Sequence, residues 1–352
     1  MVNNFDERML TDKALINNCT FVKTVLMIVI VFYHSILFWS GTWFVDVPII
    51  NSPLWADLSA WFNSFHIYAF ALVSGYLFSY LKLEKGKYDK FVPFAIGKAK
   101  RLLVPYFFIA IFWVIPISVY FFNYGFTDIV NRFILATSPS QLWFLWMLFD
   151  VFVIFWLLSK FFERRNLLGL ILVIAFYGVG LIGARIIPNY FMILRACTYM
   201  PFFWIGFKLR QCGSGIVMKI PSFAWIIADI ALFILARWLL NGENLFIRIL
   251  NLGVTFLLNI VGAVMAFVVL QKIAFFFKNW RENKILVALS RCSMPIYLIH
   301  QQVVYFFIPP LNGYVNPYLH AIIIFVCALS ISLAVSLLLM KFKFSRFLLG
   351  EK

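Results

Sequence analysis

Charged residues are scarce in this chain, and acidic residues are the scarcest of all. Only 12% of the 352 residues are charged, with 14 Asp and Glu against 30 Lys and Arg, while 64% are hydrophobic. A water-soluble fold could not hide so much apolar surface, so this composition excludes a soluble globular protein. Several apolar runs reach about 18 residues, enough for a helix that crosses a bilayer. We predict an all-α, polytopic membrane protein, with residues 1–352 forming one domain.

Cysteine patterns that bind metal or build a disulfide framework are also missing. The five cysteines are odd in number, scattered along the chain and without a CxxC pair. Such spacing argues against a zinc site and against a disulfide-stapled scaffold. Paired broken helices in two repeated halves, which mark many transporters, are not evident either. We therefore expect no metal, and a carrier of the inverted-repeat kind is disfavoured.

The basic residues that are present report the topology. Of the 30 Lys and Arg, 24 fall on the N-terminal side of the predicted spans and four on the opposite side. Because basic residues concentrate in cytoplasmic loops, both termini are predicted to be cytoplasmic. The net charge of +16 therefore indicates topology and not a nucleic-acid partner. The ten predicted spans are 21–39, 61–81, 102–122, 140–159, 167–184, 191–208, 222–240, 250–271, 286–307 and 318–340.

Histidines mark the interior of the predicted bundle. His34 follows Lys23 by eleven residues, about 16 Å along a helix, which places it near the bilayer midplane. Ionisable groups at that depth are costly and often functional, although a neighbouring helix could simply satisfy the ring. His66 and His300 also fall in the middle or outer half, which suggests an outward cavity or a proton-handling site. For His320, at the start of the last span, an interfacial position without a function is the favoured interpretation.

Two carboxylates fall inside predicted spans, where an unpaired charge would be strongly destabilising. Asp150 matches the depth of His34, so the two side chains could pair, and such a pair would fix the tautomer of the ring. Arg195 is the competing partner for Asp150, and the sequence does not choose between them. Asp229 lies in the seventh span.

A basic cluster precedes the third span. Residues 82–101 form the longest hydrophilic stretch, which we predict to be a cytoplasmic loop. It ends with Lys98, Lys100 and Arg101, shortly before Pro105. Topology explains most of this charge. The alternative is a phosphate site, because clustered cations beside a helix start attract polyanions such as coenzyme A.

These features together resemble the acyltransferase-3 family of integral membrane acyltransferases, nearly from end to end. The matching motifs are Lys23 and His34 with ten residues between them, the aromatic run 65–76 with Ser74-Gly75, the basic cluster before Pro105, and the segments 142–146 and 296–300. Two positions depart from the family pattern. Lys23 stands where many relatives have Arg, and Asp150 lies where several branches carry Glu.

The resemblance implies transfer of an acyl group, most often acetyl, from cytoplasmic acyl-CoA to a hydroxyl of a cell-surface or exported glycan. The resemblance is to the short form common among O-acetyltransferases of exopolysaccharide biosynthesis, and it implies a location in the cell (cytoplasmic) membrane. The implied partners are the lipid bilayer, a glycan acceptor and other polysaccharide-assembly proteins. Acetyl-CoA or another acyl-CoA is the expected co-substrate.

The mechanistic hypothesis assigns roles to named residues. His34 is a general base or a covalent acyl carrier, because the histidine at the matching position is considered essential in the family that the chain resembles. The further catalytic candidates are Asp150 and His66; the donor-binding candidates are Lys23, Lys98, Lys100 and Arg101; the acceptor or oxyanion candidates are Ser74, Arg195, Tyr297 and His300. A proton-coupled transporter or exporter of a polysaccharide is the alternative function. A structural subunit of a glycan-assembly complex is the third.

Overall fold

The computed structural model of the chain describes residues 12–277 and 279–351, and every regular element in this part is helical. All-α architecture is therefore confirmed for the described residues. The α-helices are α1 (Asp12–Ile36), α2 (Pro53–Asn63), α3 (His66–Ser79), α4 (Phe91–Ile109), α5 (Ile115–Phe122), α6 (Phe126–Ile129), α7 (Trp143–Arg164), α8 (Asn166–Ile186), α9 (Ile193–Gln211), α10 (Gly215–Lys219), α11 (Ser222–Leu239), α12 (Leu245–Phe276), α13 (Lys284–Arg291), α14 (Ser293–Leu311), α15 (Pro317–Leu339) and α16 (Lys343–Leu348).

Eight helical stretches of the described chain are long and apolar enough to cross a membrane. They overlap eight of the ten predicted spans, which confirms a polytopic membrane protein. The other two predicted spans, 191–208 and 286–307, correspond to α9 and to α13 with α14, and these carry more polar side chains. The predicted cytoplasmic position of the chain ends concerns residues 1–11 and 352, which lie outside the described residues, as does Lys278.

The two polar helices lie inside the bundle. α9 packs between α3, α7 and α8, and α14 packs between α1 and α15. In α14 every side chain from Pro295 to Tyr305 is buried, including His300, Gln301 and Gln302. Helices surrounded by protein can carry such groups because neighbouring helices supply their hydrogen-bond partners. Low hydropathy in these two segments therefore marks a central position.

Helix α1 is the central helix of the bundle. It packs against α3, α12, α14 and α15, so it contacts protein on most sides. Val22, Leu26 and Val31 are fully buried, and the Ser35 hydroxyl donates to the Val31 carbonyl at 2.8 Å. Because α1 is enclosed, any polar side chain on it must face a neighbour or a cavity.

Two glycines allow α3 and α9 to approach closely. A Cβ atom added to Gly75 would lie 1.9 Å from the Phe203 carbonyl oxygen, and one added to Gly206 would lie 1.9 Å from the Leu72 carbonyl oxygen. Small residues at such crossings are the usual basis of tight helix packing in membranes. The contact fixes the position of α3, which carries His66.

The predicted loop over residues 82–101 is wrong in its second half. A π-helical turn, Tyr80–Glu84, ends the preceding helix, and α4 begins at Phe91. Phe94 is 3% exposed and packs on Phe78 with ring centroids 5.9 Å apart. Helical spacing places Phe94, Lys98 and Arg101 near one face of α4. Packing of that face outweighs the hydrophilic composition that suggested a loop.

We expect Gly206→Ala to lower thermal stability, because its Cβ would meet a backbone oxygen that cannot rotate away. Overpacking of this kind typically costs about 1–3 kcal/mol. Gly97→Ala in α4 is the matched control, since a Cβ there meets nothing within 4 Å. The measurement is the midpoint of heat-induced loss of the monodisperse peak in detergent. Equal midpoints for the two variants would contradict the close contact.

Candidate active site

A polar cavity of about 390 Å³ opens among the helices on the side that the charge asymmetry assigns to the exterior. We call it the outer cavity. His34, from α1, and His66, from α3, both line it. Its aromatic wall consists of Tyr33, Trp43, Phe122, Tyr124, Phe133, Trp143, Tyr297 and Tyr305. Its polar groups include Asn63, Arg132, Ser138, Ser140, Gln141, Arg195 and Gln301.

A second cavity of about 210 Å³ lies on the opposite side, which the charge asymmetry assigns to the cytoplasm, and we call it the inner cavity. Its walls are mostly apolar. The cations Lys23, Lys98 and Arg101 line it together with the carboxylate of Glu351. Ser74 lines it as well. The inner cavity therefore combines a basic region with an apolar channel.

One face of α1 connects the two cavities. Lys23, Met27 and Ile30 line the inner cavity, and His34 lines the outer one. Eleven residues at 100° per residue return to within about 20° of the starting direction, so Lys23 and His34 share a face three turns apart. The spacing puts Lys23 and His34 on one face of α1, and the structure places the cation in one cavity and the imidazole in the other.

Three histidines are held in the same way. His34 Nδ1 lies 3.1 Å from the Ile30 carbonyl oxygen, and His300 Nδ1 lies 2.7 Å from the Tyr297 carbonyl oxygen. His66 Nδ1 contacts the Phe62 carbonyl. A carbonyl oxygen can only accept, so the ring nitrogen that faces it must carry the hydrogen. Each neutral ring therefore has its hydrogen on Nδ1 and its lone pair on Nε2.

His34 and His300 are joined by a direct hydrogen bond. His300 Nε2 lies 3.0 Å from His34 Nδ1. Because Nδ1 of His300 already donates to backbone carbonyls, its Nε2 accepts, and the single Nδ1 hydrogen of His34 is shared between His300 Nε2 and the Ile30 carbonyl oxygen. His34 Nε2 is then left as a proton acceptor for a group in the outer cavity. His300 is completely buried, and it contacts His34 through Nε2.

Aromatic rings surround the two histidines that line the outer cavity. The Tyr33 ring centroid lies 4.6 Å from that of His66, and the Trp43 centroid lies 5.6 Å from that of His34. His66 is 2% exposed. By the tautomer argument, neutral His66 presents an acceptor to the cavity, so it donates to an oxyanion only when it is protonated.

Tyr297 lines both cavities, and its side chain lies between them. Its hydroxyl donates to the backbone carbonyl of Gln141. The Gln141 amide is fixed in turn, since its Nε2 donates to Gln302 Oε1 at 2.6 Å and its Oε1 accepts from Gln302 Nε2 at 3.1 Å. This pair ties the start of α7 to α14. Tyr297 is thus a well-anchored side chain at the boundary between the cavities.

The basic residues of α4 point to different sides of the helix. Lys98 and Arg101 line the inner cavity, whereas Lys100 is exposed and lines neither cavity. Lys98 Nζ lies 3.5 Å from the Phe152 ring centroid and 5.1 Å from that of Tyr88. Aromatic faces hold this ammonium group, and no carboxylate within the described ranges forms an ion pair with it. A donor-binding role for Lys100 therefore has no support from its position.

The C-terminal segment closes one wall of the inner cavity. Leu349 is fully buried, and Gly350, at φ +75°, packs so closely that a Cβ would lie 2.5 Å from the Arg101 carbonyl oxygen. Burial raises the pKa of Glu351 above its ordinary value, while Arg101 and Lys23 act to lower it. The carboxylate therefore partly offsets the positive charge of the cavity.

Asp150 does not join the site. It lines neither cavity, and its Oδ2 atom is buried with no hydrogen-bond partner in the described part of the chain. The partner of His34 is His300, so the hypothesis of a His34–Asp150 pair has no support here. Arg195 lies over the Trp143 ring and forms no ion pair with Asp150. Asp229 instead accepts a hydrogen bond from Trp61 at 2.7 Å, which links α11 to α2.

Other residues of the site were not among the sequence candidates. Gln301 donates to Ser140 Oγ at 2.9 Å in the outer cavity. The run of His300, Gln301 and Gln302 in an apolar helix could have identified them from sequence, because polar side chains at membrane depth are costly and usually have a partner or a function. Glu351 carries no such signal, since only the chain's return to α4 places it there. Among the described residues, no group of three or more His, Cys, Asp or Glu side chains could hold a metal ion.

Comparison with models of known protein families gives a match over most of the chain. A family model described as an acyltransferase domain matches residues 17–341 of the chain. That range contains all of the histidines and both cavities except for Glu351. Comparisons with curated proteins and with solved structures each give no match.

We expect the histidines of the site to adopt the tautomer with hydrogen on Nδ1, because each ring faces a backbone carbonyl. The chain has only four histidines, so selective ¹⁵N-histidine labelling in nanodiscs can assign them. The ¹⁵N shifts of His34, His66 and His300 should show a protonated Nδ1 and an unprotonated Nε2. His300→Leu is the control, since it removes the ring-to-ring contact and should shift the His34 Nδ1 signal. A dominant Nε2–H form of His34 would contradict the assignment.

Proposed function

The chain belongs to the acyltransferase-3 family of membrane proteins, and from this we propose that it moves an acyl group from cytoplasmic acyl-CoA to a glycan hydroxyl on the outer side. The observation that carries the proposal is the pair of cavities that meet at Tyr297, with Lys23 in one and His34 in the other. A reaction between a cytoplasmic donor and an external acceptor needs such a junction. We place the protein in the cell membrane.

The inner cavity suits an acyl-CoA donor. Lys23, Lys98 and Arg101 supply positive charge where the phosphates of coenzyme A would enter. Met27 and Ile30 continue the wall toward the junction and offer apolar surface to the pantetheine arm. Acetyl-CoA is the donor that the family pattern favours. In this arrangement the thioester arrives one helical turn below His34.

The outer cavity suits a sugar acceptor. Aromatic faces such as Trp43 and Tyr305 can pack on the apolar side of a pyranose ring. The side-chain oxygen of Gln301 and the hydroxyl of Ser140 can bond to its hydroxyl groups. A surface or exported polysaccharide, extended by other assembly proteins, is the acceptor class we propose.

His34 acts as the general base in the mechanism we favour. Its Nε2 takes the proton from the acceptor hydroxyl while the hydroxyl oxygen attacks the thioester carbonyl carbon. The tetrahedral intermediate then collapses, the carbon–sulfur bond breaks, and the thiolate takes the proton back from His34. The products are the glycan ester and free coenzyme A. His300 is a positioning residue, because its Nε2 holds the His34 hydrogen on Nδ1.

The developing oxyanion needs a hydrogen-bond donor at the junction. Tyr297 lies there, and its hydroxyl could turn from the Gln141 carbonyl toward the thioester oxygen. Ser74 is a second candidate on the inner side. A base catalyst and an oxyanion donor on opposite sides of one carbonyl form the arrangement that acyl transfer requires.

The covalent version of the mechanism gives His34 a different role. His34 Nε2 would attack the thioester first, release the thiolate and carry the acyl group to the acceptor. Incubation with radiolabelled acyl-CoA and no acceptor separates the two versions. The carrier leaves label on the protein and the base does not.

Proton-coupled export of a polysaccharide is the second candidate function. The observation in its favour is that two cavities on opposite sides of one boundary are also the arrangement of an alternating-access carrier. Transport would require Tyr297 and its neighbours to separate and admit a whole sugar. Glycan flux into proteoliposomes without acyl-CoA would favour the carrier.

We expect His34→Ala to reduce acyl transfer by about 10²–10⁴, the usual contribution of a positioned base. Donor binding should change little, because His34 does not line the inner cavity. His320→Gln is the control, since His320 packs on Trp39 and lines neither cavity. Release of coenzyme A by purified protein supplied with cell-surface glycan measures transfer. Normal transfer by a folded His34→Ala protein would end the catalytic assignment.

We expect Lys98→Gln and Arg101→Gln to raise KM for acyl-CoA about tenfold each, because each removes a charged partner of the donor phosphates. Lys100→Gln, on the exposed side of the same helix, is the matched control and should leave KM unchanged. Glu351→Gln should lower KM, since it removes the carboxylate that offsets the cations. Equal effects of the Lys98 and Lys100 variants would point to general surface charge and contradict a donor site in the inner cavity.

A further inference from the structure

Two arginines line the outer cavity together with His34. Arg132 comes from the segment after α6, and Arg195 comes from the first turn of α9. The residues that line this cavity include no Asp or Glu. The cavity in which the acceptor would react is therefore positively charged.

Positive charge on this side of the protein is uncommon. Lys and Arg are strongly depleted from external segments because they oppose the orientation of the neighbouring spans. Besides Arg195, only Arg132, Arg185, Arg237 and Arg248 fall on the outer side of the predicted topology. Two of these five converge on one cavity. Charges that work against topology and meet at one place indicate a ligand of opposite sign.

Neither guanidinium is neutralised by a carboxylate. Arg132 lies 4.4 Å above the Tyr124 ring, and Arg195 lies 4.4 Å above the Trp143 ring. No Asp or Glu oxygen of the described residues lies within 4.0 Å of either group. Arg237, by contrast, pairs with Asp57 at 2.7 Å. Aromatic stacking orients a guanidinium and leaves its N–H donors available for an anion.

The backbone around both arginines is held in unfavourable conformations. Arg132 lies in a π-helical turn, Val130–Ile134, a feature often found at functional sites. Ala136 and Ser140 have φ of +51°, and Phe191 has φ of +52°. The Phe191 N–H donates to the Leu135 carbonyl at 2.8 Å, which joins the two segments. Residues other than glycine hold positive φ only where the surrounding structure enforces it, and such strain clusters at binding sites.

We propose that the outer cavity binds an anionic acceptor, a glycan whose phosphate or carboxylate group is held by Arg132 and Arg195. This inference rests on the proposed function, because it names the acceptor class for the same reaction. Planar guanidinium groups suit the oxygens of either anion. Anchoring the charged group fixes which hydroxyl of the sugar reaches His34, so the two arginines set the acylated position.

The test uses purified full-length protein in nanodiscs of neutral lipid. Isothermal titration compares glucose, glucose 1-phosphate and glucuronate as probes. The charged sugars should bind at least about tenfold more tightly than glucose, the usual contribution of a charged hydrogen bond. The ratio between the two charged probes distinguishes phosphate from carboxylate. Arg132→Gln and Arg195→Gln should each remove about tenfold of affinity for the charged probes and leave glucose binding unchanged.

Arg237→Gln is the matched control, because this arginine lies on the outer side and away from the cavity. It should leave all three affinities unchanged. Arg132→Lys tests geometry as well as charge, and it should retain only part of the affinity, since Lys cannot form the two-pronged contact. Equal affinity for glucose and the charged sugars would overturn the proposal. Binding of phosphatidylglycerol through the arginines, with no charged sugar bound, would overturn it as well.

Failure of this inference is separable from failure of the proposed function. If the protein acylates a neutral glycan as fast as a charged one and Arg132→Gln has no effect, the anionic acceptor is excluded while acyl transfer stands. If the arginines bind the charged sugars and no acyl-CoA is consumed, the anion site stands and the acyltransferase function falls.

Discussion

The hydrogen bond between His34 and His300 is the interaction on which the site depends. Inside a helical bundle in lipid, a polar group finds its partner in the protein or pays the cost of losing water. His300 meets that requirement with a backbone carbonyl at Nδ1, and His34 meets it with Ile30 and His300. The same bonds that satisfy the rings also determine which nitrogen carries hydrogen. The contacts that satisfy the two rings would therefore also orient His34 for the catalytic role that we propose.

The position of the polar helices follows from the same constraint. α9 carries Arg195 and Arg210, α14 carries His300, Gln301 and Gln302, and both helices pack among other helices of the bundle. α14 supplies His300 to one side and Gln302 to the other, where it pairs with Gln141. Tyr297, on the same helix, lies between the cavities. A helix whose polar side chains need protein partners therefore supplies the one side chain shared by the described linings of both cavities.

Cations line the cavities on both sides of this boundary, but the two sets have different explanations. Lys23, Lys98 and Arg101 collect in the inner cavity, and topology alone accounts for cations on that side. Arg132 and Arg195 in the outer cavity have no such explanation, which is why we propose that they bind the acceptor. A donor with several phosphates and an acceptor with one anionic group would then approach His34 from opposite sides. In this proposal each cavity would select its ligand by charge.

The sequence by itself determined the fold class, most of the spans, the family and the Lys23–His34 pair. These follow from local properties, since apolar length defines a span and helical periodicity places two residues on one face. Only the tertiary structure decided which partner His34 has, which cations face the inner cavity and where Asp150 lies. His300 is 266 residues from His34 in the sequence. Asp150 matched the predicted depth of His34 in the membrane, so depth did not identify the partner. Depth along a helix can be counted from sequence, whereas the direction of a side chain around the bundle depends on which helices pack together.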